Sequence, residues 1–168
     1  MSALPKFPLR PGGDRARQVI EDYDRMRARI PQLQIDPAIG WTWPRVYVAA
    51  PFEEASTVRT IHRMLANMRY VPTSAWAEND GLSANVLEST EANRQIHRSN
   101  IDALLSSDLM IVKRVKGSGG EMFVEFERAL QYGMTILWTG PPILSTYRDG
   151  VTTFPDMAKL MAWLEQVR

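Results

Sequence analysis

The sequence predicts a three-layer α/β domain built on a mainly parallel sheet of five strands. Three observations lead there. Short apolar, β-branched runs recur along the chain, as RVYVAAP (45–51), LMIVKRV (109–115) and MTILWTG (134–140). Segments with apolar residues at three- and four-residue steps separate them, and the connections are short and rich in Gly and Pro. Strands that are apolar along their length are buried on both faces, and their alternation with helices makes the sheet parallel.

The first run breaks at Pro51, as a buried strand feeding a loop does. Residues 53–68 then carry Val58, Ile61, His62, Leu65 and Met68 at helical spacing. YVPTSAWA (70–77) reads as a second strand or extended segment, and NDGLS (79–83) as a loop. A helix over 88–106 presents Ile96, Ile101, Leu104 and Leu105. The third strand, 109–115, runs into the Gly-rich turn KGSGG (116–120) and a helix over 121–132, which Gly133 suits as a C-cap. A fourth strand (134–140), a short fifth one, VTTF (151–154), and an amphipathic helix (156–167) complete a flavodoxin-like or Rossmann-like domain over 45–168. Ahead of it, 1–44 reads as an extension: a Pro- and Gly-rich arm, a helix over 15–29 capped by Asp14, and an irregular stretch with Trp41 and Trp43. The helix's arginines, Arg15 to Arg29, read as a solvated face. In a parallel sheet of this kind ligands sit beyond the C-terminal strand ends, at the switch in strand order. That points to the loops after Val48, Val115 and Trp138.

Composition narrows the function. With 45% hydrophobic and 23% charged residues the 168-residue chain is globular and long enough for one sizeable core. A net charge of +1 gives no electrostatic reason for nucleic acid or a membrane surface as partner. The absence of cysteine excludes disulfides, thiolate metal sites and a Cys nucleophile, and two histidines, His62 and His97, are few for a metal cluster. No metal or other cofactor is expected. No apolar run is long enough to span a bilayer, and MSALPKFPLRPGG lacks the apolar segment of a secretory signal, so a cytoplasmic protein is expected.

The most informative stretch is 98–140, where the Gly-rich turn enters a helix holding Glu121, Glu125 and Glu127. Free backbone N–H groups and the positive helix end favour an anion there, whether a ligand or an ionised carboxylate. An ionised carboxylate can attack an anomeric carbon. Glu121 and Glu125 are four apart and share a face. Phe123, Val124 and Phe126 around Glu125 put it on or beside the buried side, where a carboxylate needs partners or a task. Glu127 reads as a solvated residue. Lys113, Arg114 and Lys116 beside the turn add to its suitability for phosphate.

Three blocks together resemble the nucleoside 2-deoxyribosyltransferase superfamily, which includes nucleotide N-glycosidases. They are VYVAAPF (46–52), SNIDALLSSDLMIV (99–112) and GGEMFVEFERALQYGMTILW (119–138), in family order and spacing. The resemblance implies Glu125 as the nucleophile at an N-glycosidic bond and Tyr47 as the side chain that steers its carboxylate. It implies a nucleoside or nucleotide as the small-molecule partner, with Ser118, Gly119 and Gly120 at the 5′ end of the sugar. Phe52 and Trp76 would sandwich the base, Asn79 and Asp80 would read base or sugar edges, and Glu121 would contact substrate. Family members pair through helices beside the active site, which implies a homo-oligomer, at least a dimer. The surplus of apolar residues, Trp41, Trp43 and Met134 among them, points the same way.

The chain departs from the family at Asn100, where the catalytic aspartate usually stands. An amide is no general acid. Asp102, two residues on and turned about 200° away on a helix, is the neighbouring carboxylate and is kept as a substrate-binding candidate. Asp108, just before the third strand, reads as a turn or capping residue. Two functions stay open: an N-glycosidase or deoxyribosyltransferase that uses Asn100 differently, and a catalytically impaired nucleotide-binding or assembly module.

Overall fold

The computed structural model describes residues 43–78, 90–117 and 120–167. The expected helix over 15–29, Trp41, Asn79, Asp80, Ser118 and Gly119 lie outside the described residues.

Five strands form one sheet: β1 (Arg45–Ala49), β2 (Val71–Pro72), β3 (Leu109–Lys113), β4 (Thr135–Thr139) and β5 (Val151–Phe154). Their order is β2-β1-β3-β4-β5, and every pairing is parallel. The helices are α1 (Ala55–Asn67), α2 (Thr90–Leu105), α3 (Glu121–Gln131) and α4 (Met157–Val167), with short 3-10 turns at Phe52–Glu54, Ala75–Glu78 and Leu144–Tyr147. The predicted three-layer α/β class holds.

The chain steps from β1 to β2, then reverses and crosses back to β3. Right-handed crossovers therefore put α1 on one face and α2 with α3 on the other. In keeping with this, α2 packs on α3, while Tyr70, just past α1, donates its hydroxyl to the Leu164 carbonyl of α4. The reversal leaves the C-terminal ends of β1 and β3 side by side with their connections leaving in opposite directions. A crevice opens between them. Across it Lys113, at the end of β3, reaches Glu54, in the turn after β1, at 2.7 Å.

β1 is buried from end to end, and β3 up to the half-buried Lys113 at its end, because helices cover both faces. Trp138 and Phe126 meet with ring centroids 5.0 Å apart in the layer between β4 and α3. Met134, counted above among surplus apolar residues, is 2% exposed and belongs to this core. The second strand is shorter than YVPTSAWA suggests. Only Val71 and Pro72 are strand, and the chain then turns at Ala75–Glu78. Pro72 is tolerated because β2 is an edge and its neighbours do the donating: Val71 N–H bonds the Pro44 carbonyl and Thr73 N–H the Val46 carbonyl.

Helix α3 ends as Gly133 predicts. With φ at 64° Gly133 donates to the Leu130 carbonyl and Met134 to the Ala129 carbonyl, a Schellman cap that needs the left-handed residue. Asp108 also has the structural role read for it. Its Oδ2 accepts the Arg45 backbone N–H at 2.8 Å and fixes the entry of β1 against that of β3.

Candidate active site

The site begins with alternation along β1. Val46 and Val48 point to one face of the sheet and Tyr47 to the other, under α3. On α3, Glu125 shares the inward side with Met122, Phe126 and Ala129. The two side chains meet: Tyr47 donates its hydroxyl to Glu125 Oε1 at 2.6 Å, with Tyr47 fully buried and Glu125 4% exposed. Burial pushes the Glu125 carboxyl up to about 7, a rise that the Tyr47 hydrogen bond opposes and the Glu121 charge reinforces. Burial, followed by the Glu125 charge, also holds the Tyr47 phenol well above its ordinary value, so it stays a donor. The helix end was expected to favour an ionised carboxylate here. Loss of water outweighs it.

Glu125 opens onto a cleft of about 670 Å³, within the range of small-molecule sites. Ala50, Pro51, Phe52 and Glu53 line it from the loop after β1, and Gly117 from the turn after β3. Two of the three loops expected at the ligand site thus contribute. The third, after β4, does not; there Arg114 donates to the Pro141 and Pro142 carbonyls and closes the sheet end. The opposite wall is α2, which presents Asn93, Ile96, His97 and Asn100 at the i, i+3, i+4, i+7 positions of one face. Glu121, Met122 and Glu125 complete the lining from α3.

No family model matches the chain, and no curated protein matches its sequence. Solved structures do. A 2-deoxyribosyltransferase from the psychrotolerant bacterium Bacillus psychrosaccharolyticus aligns with a TM-score of 0.54 over 71% of this chain and 95% of its own, at 16% identity. Clostridium botulinum CMP N-glycosidase, BcmB, aligns with a TM-score of 0.50 over 73% of this chain and 98% of its own, at 15% identity. The chain has the nucleoside 2-deoxyribosyltransferase fold. The resemblance carried by the three sequence blocks is thereby met in three dimensions, at identities that speak for fold alone.

Within this deoxyribosyltransferase fold most predicted residues converge and some do not. Asn100, Phe52, Trp76, Glu121 and Glu125 line one cleft, with Tyr47 buried behind Glu125 and bonded to it. Gly120 caps the start of α3 with φ at 73° and is not among the lining residues; Gly117, earlier in the turn, is. Asp102 is exposed and absent from the lining, because the helical twist carries it off the face that holds Asn100. Phe52 and Trp76 do not oppose each other across a base-sized gap. Their rings stack on one another, centroids 5.9 Å apart and 29° between planes, and Trp76 is anchored by its indole N–H on the Val48 carbonyl at 3.1 Å. They form one aromatic wall. Of the basic residues beside the turn, Lys113 is committed to Glu54 and Arg114 to the two proline carbonyls and the face of Phe123, while Lys116 is exposed.

Sequence reasoning passed over Asn93 and His97. His97 Nδ1 pairs with Glu121 Oε2 at 2.9 Å, linking α2 to α3 across the cleft mouth. The available signal was spacing, since both residues lie on the face of Asn100.

A second polar cluster has the donor order of a serine hydrolase. His62 Nε2 meets Ser74 Oγ at 2.8 Å and its Nδ1 meets Glu78 Oε1 at 2.9 Å. Ser74 is 1% exposed, however, and its oxygen also accepts the Val48 backbone N–H at 3.0 Å. No substrate reaches it. The cluster clamps β1 to the segment after β2 and satisfies the β1 backbone at the residue next to Tyr47. Among the described residues no group of three His, Asp or Glu side chains is placed to hold a metal, and no helix is long and apolar enough to cross a membrane.

Proposed function

We propose that this chain cleaves the N-glycosidic bond of a nucleoside or a nucleoside 5′-monophosphate, by hydrolysis or base exchange, with Glu125 as nucleophile. The observation that carries this reading is the Tyr47–Glu125 pair: a buried carboxylate at a nucleotide-sized cleft, aimed by a 2.6 Å hydrogen bond. Burying a carboxylate costs stability that one hydrogen bond offsets only in part, which fits a residue kept for chemistry, and the bond leaves one carboxylate oxygen, Oε2, for the sugar. Glu125 attacks C1′, the base leaves with the electrons of the glycosidic bond, and a glycosyl ester forms. Water, or a second base, then displaces Glu125 from C1′, as in retaining glycosidases. The Phe52–Trp76 wall offers the base an apolar face. The neighbours of known activity, a 2-deoxyribosyltransferase and a CMP N-glycosidase, support the reaction class. With Lys113 and Arg114 engaged elsewhere, the case for a phosphate rests on the exposed Lys116 and the backbone of the turn, so nucleosides and monophosphates are both substrates to test.

One observation favours a second reading. Asn100 stands on the cleft face of α2, where an aspartate would have supplied a proton, and this fits a module that binds nucleotides without cleaving them. Incubation with a panel of ribo- and deoxyribonucleosides and their 5′-monophosphates, read by chromatography for free base, separates the two. Release of base by the wild type and none by Glu125→Gln supports the enzyme. Binding without release supports the module.

A further inference from the structure

Departure of a nucleobase as an anion is slow, so the leaving nitrogen or oxygen must take a proton as the C1′–N bond breaks. Asn100 cannot give one, and Tyr47 is bound to Glu125 and held in its neutral form. Glu125 itself must be ionised to attack. Among the described residues lining the cleft this leaves Glu53, Glu121 and His97. Imidazole is the side chain that most readily both gives and takes a proton near neutral pH.

We propose that His97, oriented by Glu121, is the acid that protonates the leaving base; this rests on the N-glycosidase reading above. The Glu121 carboxylate accepts a hydrogen bond from Nδ1 at 2.9 Å, which assigns that proton to Nδ1 and orients the ring. The pairing leaves Nε2 without a protein partner among the described residues, on a side chain that lines the cleft one turn from Asn100. His97 and Glu125 come from helices that pack on each other, so they approach a bound nucleoside from two walls of the same cleft. In the first step Glu125 Oε2 bonds to C1′, the C1′–N bond breaks towards the base, and the base takes the Nε2 proton, leaving neutral imidazole. In the second step that imidazole takes a proton from water as the water oxygen bonds to C1′. The ester bond breaks, and both imidazolium and carboxylate are restored. Hydrolysis is balanced with no further reactant.

The test uses leaving groups that differ in their need for a proton. Wild type and His97→Gln are compared on the released-base nucleotide and on its counterpart carrying a base that is cationic at the assay pH, N3-methylcytosine or N7-methylguanine, which leaves neutral unaided. The expected result is a loss of roughly a hundredfold or more in kcat on the ordinary substrate, with most turnover of the cationic one retained. Glu121→Gln should show the same pattern, more weakly. Equal losses on both substrates, or no loss on either, overturn His97 as the acid while leaving Glu125 as nucleophile intact. A wild-type protein that cleaves neither substrate overturns the reaction itself, and this proposal with it.

Discussion

Tyr47 on β1 and Glu125 on α3 are 78 positions apart in the chain and 2.6 Å apart in the fold. The sheet places one beneath the other because Tyr47 faces α3 while its neighbours Val46 and Val48 face away. The bond favours the ionised carboxylate against a burial that disfavours it. Tyr47→Phe keeps the ring packing and removes only the hydroxyl. It should lower kcat/KM at neutral pH by roughly tenfold to a hundredfold, the worth of a hydrogen bond to a charged group. It should also move the acidic limb of the pH–rate profile upward. A variant with the wild-type profile would show that the bond does not tune the nucleophile.

The same carboxyl makes stability depend on pH in a way opposite to most acids. Its pKa is raised from 4.5 to about 7 in the fold, so between those values the folded chain holds a proton that the unfolded chain has lost. Stability is full below the unfolded value, falls as pH rises through that window, and is lowered by on the order of 3 kcal/mol once Glu125 is ionised. Glu125→Gln, which cannot ionise, should therefore unfold at a higher temperature than wild type above neutral pH, with the gap closing in mild acid. Thermal unfolding across pH reads this. Parallel curves for the two proteins would mean that Glu125 is not buried as described.

Asn100 separates the two accounts of the missing aspartate. If His97 supplies the proton, Asn100 contacts substrate through its amide. Asn100→Asp should then lower kcat/KM by about tenfold through a lost donor and an added charge beside Glu125. A rise in turnover would instead identify the wild type as an enzyme short of an acid, and an unchanged rate would place Asn100 outside the site.

The strand cores and the order of elements were legible because an apolar β-branched run of five buried residues has few other readings. Glu125 and Tyr47 were legible as well, one from its apolar neighbours on α3, the other from the VYVAAPF block. The wall formed by α2 was not. TEANRQIHRSN is polar but for Ala92 and Ile96, and spacing shows which residues share the face of Asn100 without showing whether that face meets a cleft or solvent. Lys113 and Arg114 misled for a related reason. Closeness in sequence to the Gly-rich turn says nothing of partners that arrive from 59 and 27 residues away and use up their charge. Phe52 and Trp76 both line the cleft, but only the backbone after β1 could show that they stack on each other.

Exposed apolar side chains remain on one flank. Val124 and Tyr132 of α3 are 43% and 49% exposed, and Leu144 and Tyr147 in the connection before β5 are 88% and 78% exposed. The Arg148–Glu127 ion pair brings that connection alongside α3. Apolar and aromatic residues are enriched at subunit interfaces, and we expect a homo-oligomer, a symmetric dimer at least. Light scattering at micromolar concentration should return a multiple of the chain mass, and Tyr147→Glu should lower it. The mass of one chain would refute the expectation.

The central claim is that Glu125 bonds covalently to the sugar. A nucleoside carrying an electron-withdrawing 2-fluoro substituent on its sugar slows the second displacement and lets the ester accumulate. Intact-mass analysis of the protein after incubation should show an adduct of one fluoropentosyl group, with peptide mapping placing it on Glu125 and the Glu125→Gln protein unmodified. Base release with no adduct, or an adduct on any other residue, would contradict the account.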